Sequence, residues 1–104
     1  MGCDYKLFWS DEAINNLESI LDYLKVFWTQ REVDRFKKQL RMQLDLITGN
    51  PKMFPKSDFN PALRKAVLSK QTTIFYEISG ITINLVYIFN NKQDIKKLET
   101  PPAP

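Results

Sequence analysis

The sequence predicts an α+β domain of two layers, a helical hairpin packed on an antiparallel sheet, in the order β-α-α-β-β-β. Three observations carry this. A short alternating run opens the chain, apolar residues recur at helical spacing from about 11 to 48 with one capping pattern between, and from residue 63 the apolar period changes to two. Helices and strands that segregate along the chain in this way bury a helical stripe against one face of a sheet and leave the other face open.

Residues 4–9 read as a strand with Tyr5, Leu7 and Trp9 on one face. Ser10 then serves as a helix N-cap, because its hydroxyl accepts an orphaned backbone N–H, and Asp11 and Glu12 suit the positive end of the helix dipole. Ile14, Leu17, Leu21, Leu24 and Trp28, widened by Ile20 and Phe27, give a helix over 11–28 with these residues in the core. Phe27 or Trp28, if exposed, would mark a protein interface. Thr29-Gln30-Arg31-Glu32 is a capping box that starts a second helix almost without a linker. Its stripe is Val33, Phe36, Leu40, Leu44 and Ile47. Gly49 suits a left-handed position after its last turn, and Pro51 stops it. So short a junction makes the two helices an antiparallel hairpin.

Three prolines make 51–61 a loop, anchored by Phe54 and Phe59. Leu63–Ser69, Thr72–Ile78 and Ile81–Phe89 then form an antiparallel meander, with turns at Lys70-Gln71 and Ser79-Gly80. Alternation places Arg64 with Ala66 and Leu68, Lys65 with Leu63 and Val67, Tyr76 with Ile74 and Ile78, and Tyr87 with Leu85 and Phe89. At 104 residues the chain admits one domain, over 1–99, with a proline-rich tail at 100–104 that frays.

Composition restricts the chemistry. The chain has no histidine and one cysteine, Cys3, so His triads, His-containing zinc sites, thiolate cages and internal disulfides are out of reach. No carboxylate cluster has convincing metal-ligand spacing, and no metal or cofactor is expected. Neither a membrane span nor a signal-peptide core is present in the sequence, which with the lone cysteine predicts a reducing cytoplasm. Residues 1–51 carry 7 Lys and Arg against 8 Asp and Glu, whereas 52–104 carry 8 against 4. The second half, at net +4, is where a polyanion would bind.

Over residues 4–98 the chain resembles the RelE/ParE superfamily of toxins from bacterial type II toxin–antitoxin systems, which include plasmid stabilisation systems. The resemblance rests on Tyr5-Lys6-Leu7-Phe8-Trp9-Ser10 followed by Ala13 and Leu17, on Leu46-Ile47-Thr48-Gly49-Asn50-Pro51, and on Leu63-Arg64-Lys65-Ala66-Val67-Leu68. Ile74-Phe75-Tyr76-Glu77-Ile78 and Ile88-Phe89-Asn90-Asn91-Lys92-Gln93 complete it. It implies a toxin held inactive by a cognate antitoxin. ParE-like members act on DNA gyrase by binding; RelE-like members cleave mRNA on the ribosome without a metal; others keep the fold without toxicity.

Residue by residue, Arg64 matches the arginine that opens the second strand in ParE-like members, with Lys65 beside it. Lys70 stands where RelE-like chains carry a basic residue after that strand, and Lys92 where the last strand ends in a cation. Arg64, Lys70 and Lys92 are therefore the catalytic candidates of a RelE-like reading. Together with Lys65, Lys96 and Lys97 they are the candidates for contact with target or antitoxin. Three departures favour the ParE-like side. Phe89-Asn90-Asn91 replaces the frequent histidine, Glu77 rather than a cation follows Tyr76, and no tyrosine follows Lys92. Each candidate also has a structural reading: Arg64 as a strand-edge cation paired with a carboxylate such as Glu77, Lys70 as an exposed turn residue, Lys92, Lys96 and Lys97 as solvated charge, and Tyr76 as a core ring with its hydroxyl at the edge.

Overall fold

The computed structural model describes residues 5–58 and 60–90. Its elements are β1 (Lys6–Trp9), α1 (Asp11–Phe27), α2 (Gln30–Gly49), a short 3-10 turn (Pro51–Met53), β2 (Arg64–Val67), β3 (Thr72–Ser79) and β4 (Thr82–Asn90). This is the expected two-layer α+β order. Phe59 and the tail at 100–104 lie outside the described residues.

The sheet runs β1-β4-β3-β2. The meander β2-β3-β4 is antiparallel as its short turns require, but β1 joins β4 in parallel, Lys6 opposite Thr82 through Trp9 opposite Leu85, so the sheet is mixed. The physical reason is connectivity. The helical hairpin carries the chain from β1 across the sheet, and a crossover of that length permits parallel pairing where a tight turn does not.

Both helix starts are built as the sequence predicts. Ser10 Oγ accepts from Ala13 N at 3.0 Å and Thr29 Oγ1 from Glu32 N at 3.4 Å. The inward stripe of α1 is displaced by one residue: Ala13 and Ile20 are buried, with Leu17 and Leu24 packed against the core, while Ile14 is 40% exposed. The end of α2 also differs. Gly49 is its last helical residue, not a left-handed one, and Asn50 caps the helix outside the helical region, at φ −155° and ψ 75°, with its N–H on Leu46 O. Pro51 forces that geometry on the residue before it and starts the 3-10 turn at once.

Gly80, at φ 62°, holds the first position of a two-residue loop with Ile81, one residue later than Ser79-Gly80. The core lies between the helices and one sheet face, where Ile74, Tyr76, Ile83, Leu85 and Ile88 meet Ala13, Ile20, Leu40 and Ile47. In β4 a bulge breaks the alternation. Phe75 faces Tyr87 but Tyr76 faces Leu85, so Val86 has no counterpart. Leu85 therefore points to the core, whereas Tyr87 and Phe89 point to the outer face and do not share Leu85's side. Among the described residues no helix is long and apolar enough to cross a membrane.

Candidate functional site

Strand β2 carries Arg64 and Lys65 to opposite sides of the sheet. Arg64 lies on the core side with the buried Ala66, and its Nη1 donates to Phe54 O at 2.6 Å and to Lys52 O at 3.4 Å. Its partners are thus backbone carbonyls of the loop, and Glu77 accepts instead from Asn84 Nδ2 at 3.4 Å. Tyr76 fastens the same loop: its ring is fully buried, stands edge-on to Phe54 at 6.3 Å, and its hydroxyl donates to Pro51 O at 2.6 Å. Burial pushes the Tyr76 phenol up to about 12, against a weaker opposing pull from the Arg64 guanidinium. A phenol so held is a structural donor rather than a base at neutral pH.

Lys70 is exposed in the turn between β2 and β3, where Thr72 N donates to Ser69 O and Gln71 N to Ser69 Oγ. It stands beyond the opposite end of β2 from Arg64, on the order of 15–20 Å away at strand rise. The two cations do not converge. Lys92, Lys96 and Lys97 lie outside the described residues. Among those described there is no group of three His, Cys, Asp or Glu residues that could hold a metal ion.

Lys65 opens onto the outer face of the sheet, opposite Phe75, which in turn stacks on Tyr87 at 4.8 Å between ring centroids. Burial raises the Tyr87 phenol. Phe8 (59% exposed), Val67 (57%) and Phe89 (39%) share this face with Lys65, Thr73, Glu77 and Asn84, so large exposed apolar side chains stand on it among polar ones.

A second surface opens between the hairpin and the end of the sheet. This cleft, about 300 Å³, is lined by Leu24, Trp28 and Phe36, with Glu32 and Arg35 paired across 3.9 Å beside it and Asn90 at the sheet end. Trp28 and its neighbour Phe27 are 44% and 50% exposed, so the aromatic end of the hairpin is surface and not core. Sequence reasoning named both residues. It missed Lys52, Lys56 and Tyr5, which line a separate depression with Arg64; a proline-rich loop has no period from which such an arrangement can be read.

Comparison with known proteins agrees with this architecture. Residues 7–95 match the family described as ParE toxin of type II toxin-antitoxin system, parDE. Among solved structures, the chromosomal ParDE TA system from P. aeruginosa is 15% identical, covering 86% of this chain and 98% of that chain, with a TM-score of 0.73. YafQ from E. coli strain BL21(DE3) is 11% identical, covering 86% and 97%, with a TM-score of 0.57. At such identities the likeness is one of fold. No curated protein matches the chain in sequence. Most of the chain, including both helices and all four strands bar the first residue of β1, falls within the matched span, and the chain belongs to the ParE toxin family of type II toxin–antitoxin systems.

Proposed function

We propose that this toxin acts in the bacterial cytoplasm by binding DNA gyrase, and that its cognate antitoxin covers the outer sheet face around Lys65, Phe8, Val67 and Phe89. The observation that carries the reading is the kind of surface on offer. Its exposed groups include aromatic and aliphatic side chains suited to burial against a protein, with Lys65 between them. A nuclease needs a base and charge-stabilising cations around one phosphate, within hydrogen-bond reach. Of the RelE-like candidates, Arg64 and Lys70 stand at opposite ends of β2, and the nearby Tyr76 hydroxyl, buried, protonated and spent on Pro51, offers Arg64 no base. Lys70 extends the margin of the binding face, and Lys92, Lys96 and Lys97 add to the positive charge that an acidic antitoxin segment would meet.

The test is induction of the toxin alone in a bacterial host, with DNA and protein synthesis followed by pulse labelling. DNA synthesis falls first, translation is spared, and co-expressed antitoxin reverses the effect. Early loss of translation would replace this reading with ribosome-dependent mRNA cleavage. Accumulation of folded protein without loss of either synthesis would leave an interaction module without toxicity.

A further inference from the structure

The depression missed by sequence reasoning lies where the loop after α2 crosses the end of the sheet. Lys52, Lys56 and Arg64 line it together with Tyr5, Pro61 and Ile78, and it is an open concavity of about 460 Å³. From these observations we infer that this depression is a binding site for a phosphate group carried by a nucleotide, with the three cations on the phosphate and the Tyr5 ring beside the base.

The charge argument comes first. Three cations share one concavity, no carboxylate lines it, and among the described residues none of the three is within ion-pair distance of one. Asp58, two residues beyond Lys56, is not part of the lining, and Glu77 is engaged with Asn84. Cations brought together without a counter-charge repel one another, and a concave, low-dielectric wall strengthens their pull on an anion.

Arg64 is also prepared for such a ligand. Its two hydrogen bonds to Phe54 O and Lys52 O both leave from Nη1. The N–H groups on Nη2 and Nε have no protein partner among the described residues, and a guanidinium fixed on one side presents the rest of its fork at no further ordering cost.

The loop that brings the lysines is held rigidly. Tyr76 Oη donates to Pro51 O, Lys65 N to Pro55 O at 2.9 Å, and Ser57 N to Leu63 O at 2.8 Å, while Lys56 bridges Arg64 as an added strand residue.

Size and lining choose the ligand class. The volume exceeds that of a bare phosphate and suits a nucleotide-sized group. A terminal phosphate concentrates nearly two charges in one group, whereas an acidic peptide spreads one carboxylate per residue along an extended chain. Tyr5, Pro61 and Ile78 line the depression beside the cations, and the partly exposed Tyr5 ring offers a face to a base.

The experiment titrates the full chain with pyrophosphate, adenosine 5′-monophosphate and an eight-residue oligothymidylate, read by amide chemical shifts. Shifts confined to Tyr5, Lys52, Lys56, Arg64 and Gly80 are expected. The exposed pair Lys52→Gln/Lys56→Gln should weaken all three ligands about tenfold or more. Tyr5→Leu should weaken the mononucleotide more than pyrophosphate. Lys37→Gln/Lys38→Gln, on a basic patch of α2 that includes Asp34, should change affinity by less than about twofold. Tighter binding of the oligomer than of the mononucleotide identifies a strand as the carrier, and the reverse identifies a free nucleotide; both support the site. Three results overturn it: no shifts at millimolar ligand, equal weakening by the α2 pair, or tighter binding of hexaglutamate than of the oligomer. None of these bears on gyrase, so the site and the proposed target stand or fall separately.

Discussion

Tyr76 shows how one side chain can fix the position of a loop. Its hydroxyl is the buried donor that receives the chain as it leaves α2, at Pro51. Tyr76→Phe keeps the ring and leaves that carbonyl unpaired, which should cost about 1–3 kcal/mol in denaturant unfolding. The titration adds a second readout. The folded phenol, pushed up to about 12, holds its proton more tightly than an unfolded tyrosine near 10. Its contribution is therefore full below pH 10 and is lost as pH rises towards 12, so stability should fall across that window in the parent and less steeply in Tyr76→Phe. Ser57 offers the opposite case. Its Oγ is buried with no hydrogen-bond partner among the described residues, so Ser57→Ala should leave thermal stability unchanged or raise it by up to about 1 kcal/mol. A drop of that size would reveal a water-bridged hydroxyl.

At the level of elements, the least predictable feature is the edge of β4. Strand β1 covers it only from Thr82 to Leu85. Beyond that α1 takes over: Ser10 N donates to Leu85 O at 3.1 Å, Ser10 Oγ to Val86 O at 2.7 Å, and Asn16 Oδ1 accepts from Ile88 N at 2.9 Å. Polar side chains of a helix thus finish a strand edge that would otherwise invite another chain. Asn16→Leu should expose the Ile88 amide, seen as faster hydrogen exchange at Ile88 with Ile74 in the adjacent strand little changed, and a loss of about 1–2 kcal/mol. Ser10 was legible as a cap because capping has a local pattern; its second bond, to a carbonyl far along the chain, has none. The same holds for the bulge at Val86. Alternation puts Tyr87 with Leu85, and only the pairing of Phe75 with Tyr87 shows that one extra residue has turned it outward. The helices and the meander were legible since their periods are local. The parallel partner of β1 was not, because pairing between distant segments leaves no mark in either.

Across the whole molecule, cations gather at the ends of the sheet while its outer face mixes charge with apolar groups. Lys52, Lys56 and Arg64 meet at one end, Lys70 stands at the other, and the outer face carries Phe8, Val67, Tyr87 and Phe89 together with Lys65. The candidate cations were visible in the sequence as types, and alternation already set Arg64 and Lys65 on opposite faces; the meeting of Arg64 with the distant Lys52 was not legible, because nothing local marks it. The outer face allows a direct check. Phe8→Lys and Phe89→Lys change exposed positions, so stability should move by no more than about 0.5 kcal/mol. Their affinity for the antitoxin should fall at least about tenfold in titration calorimetry. Unchanged affinity would move the antitoxin off this face and towards the cleft at Trp28.

The parallel ladder between β1 and β4 has a consequence in time. Strand β1, made before both helices, pairs with β4, the last described strand, and α1, α2, β2 and β3 lie between them in the chain. Contacts of such long sequence separation form late, after the loop between them has closed. A nascent chain can form its helical hairpin early, but it has no edge on which to place β1 until β4 has emerged. Chains that terminate before Thr82 contain β3 but lack β4, and with it the strand that pairs with both β1 and β3. The outer face is therefore complete only once β4 has emerged, so a partner that reads it discriminates against every shorter nascent chain.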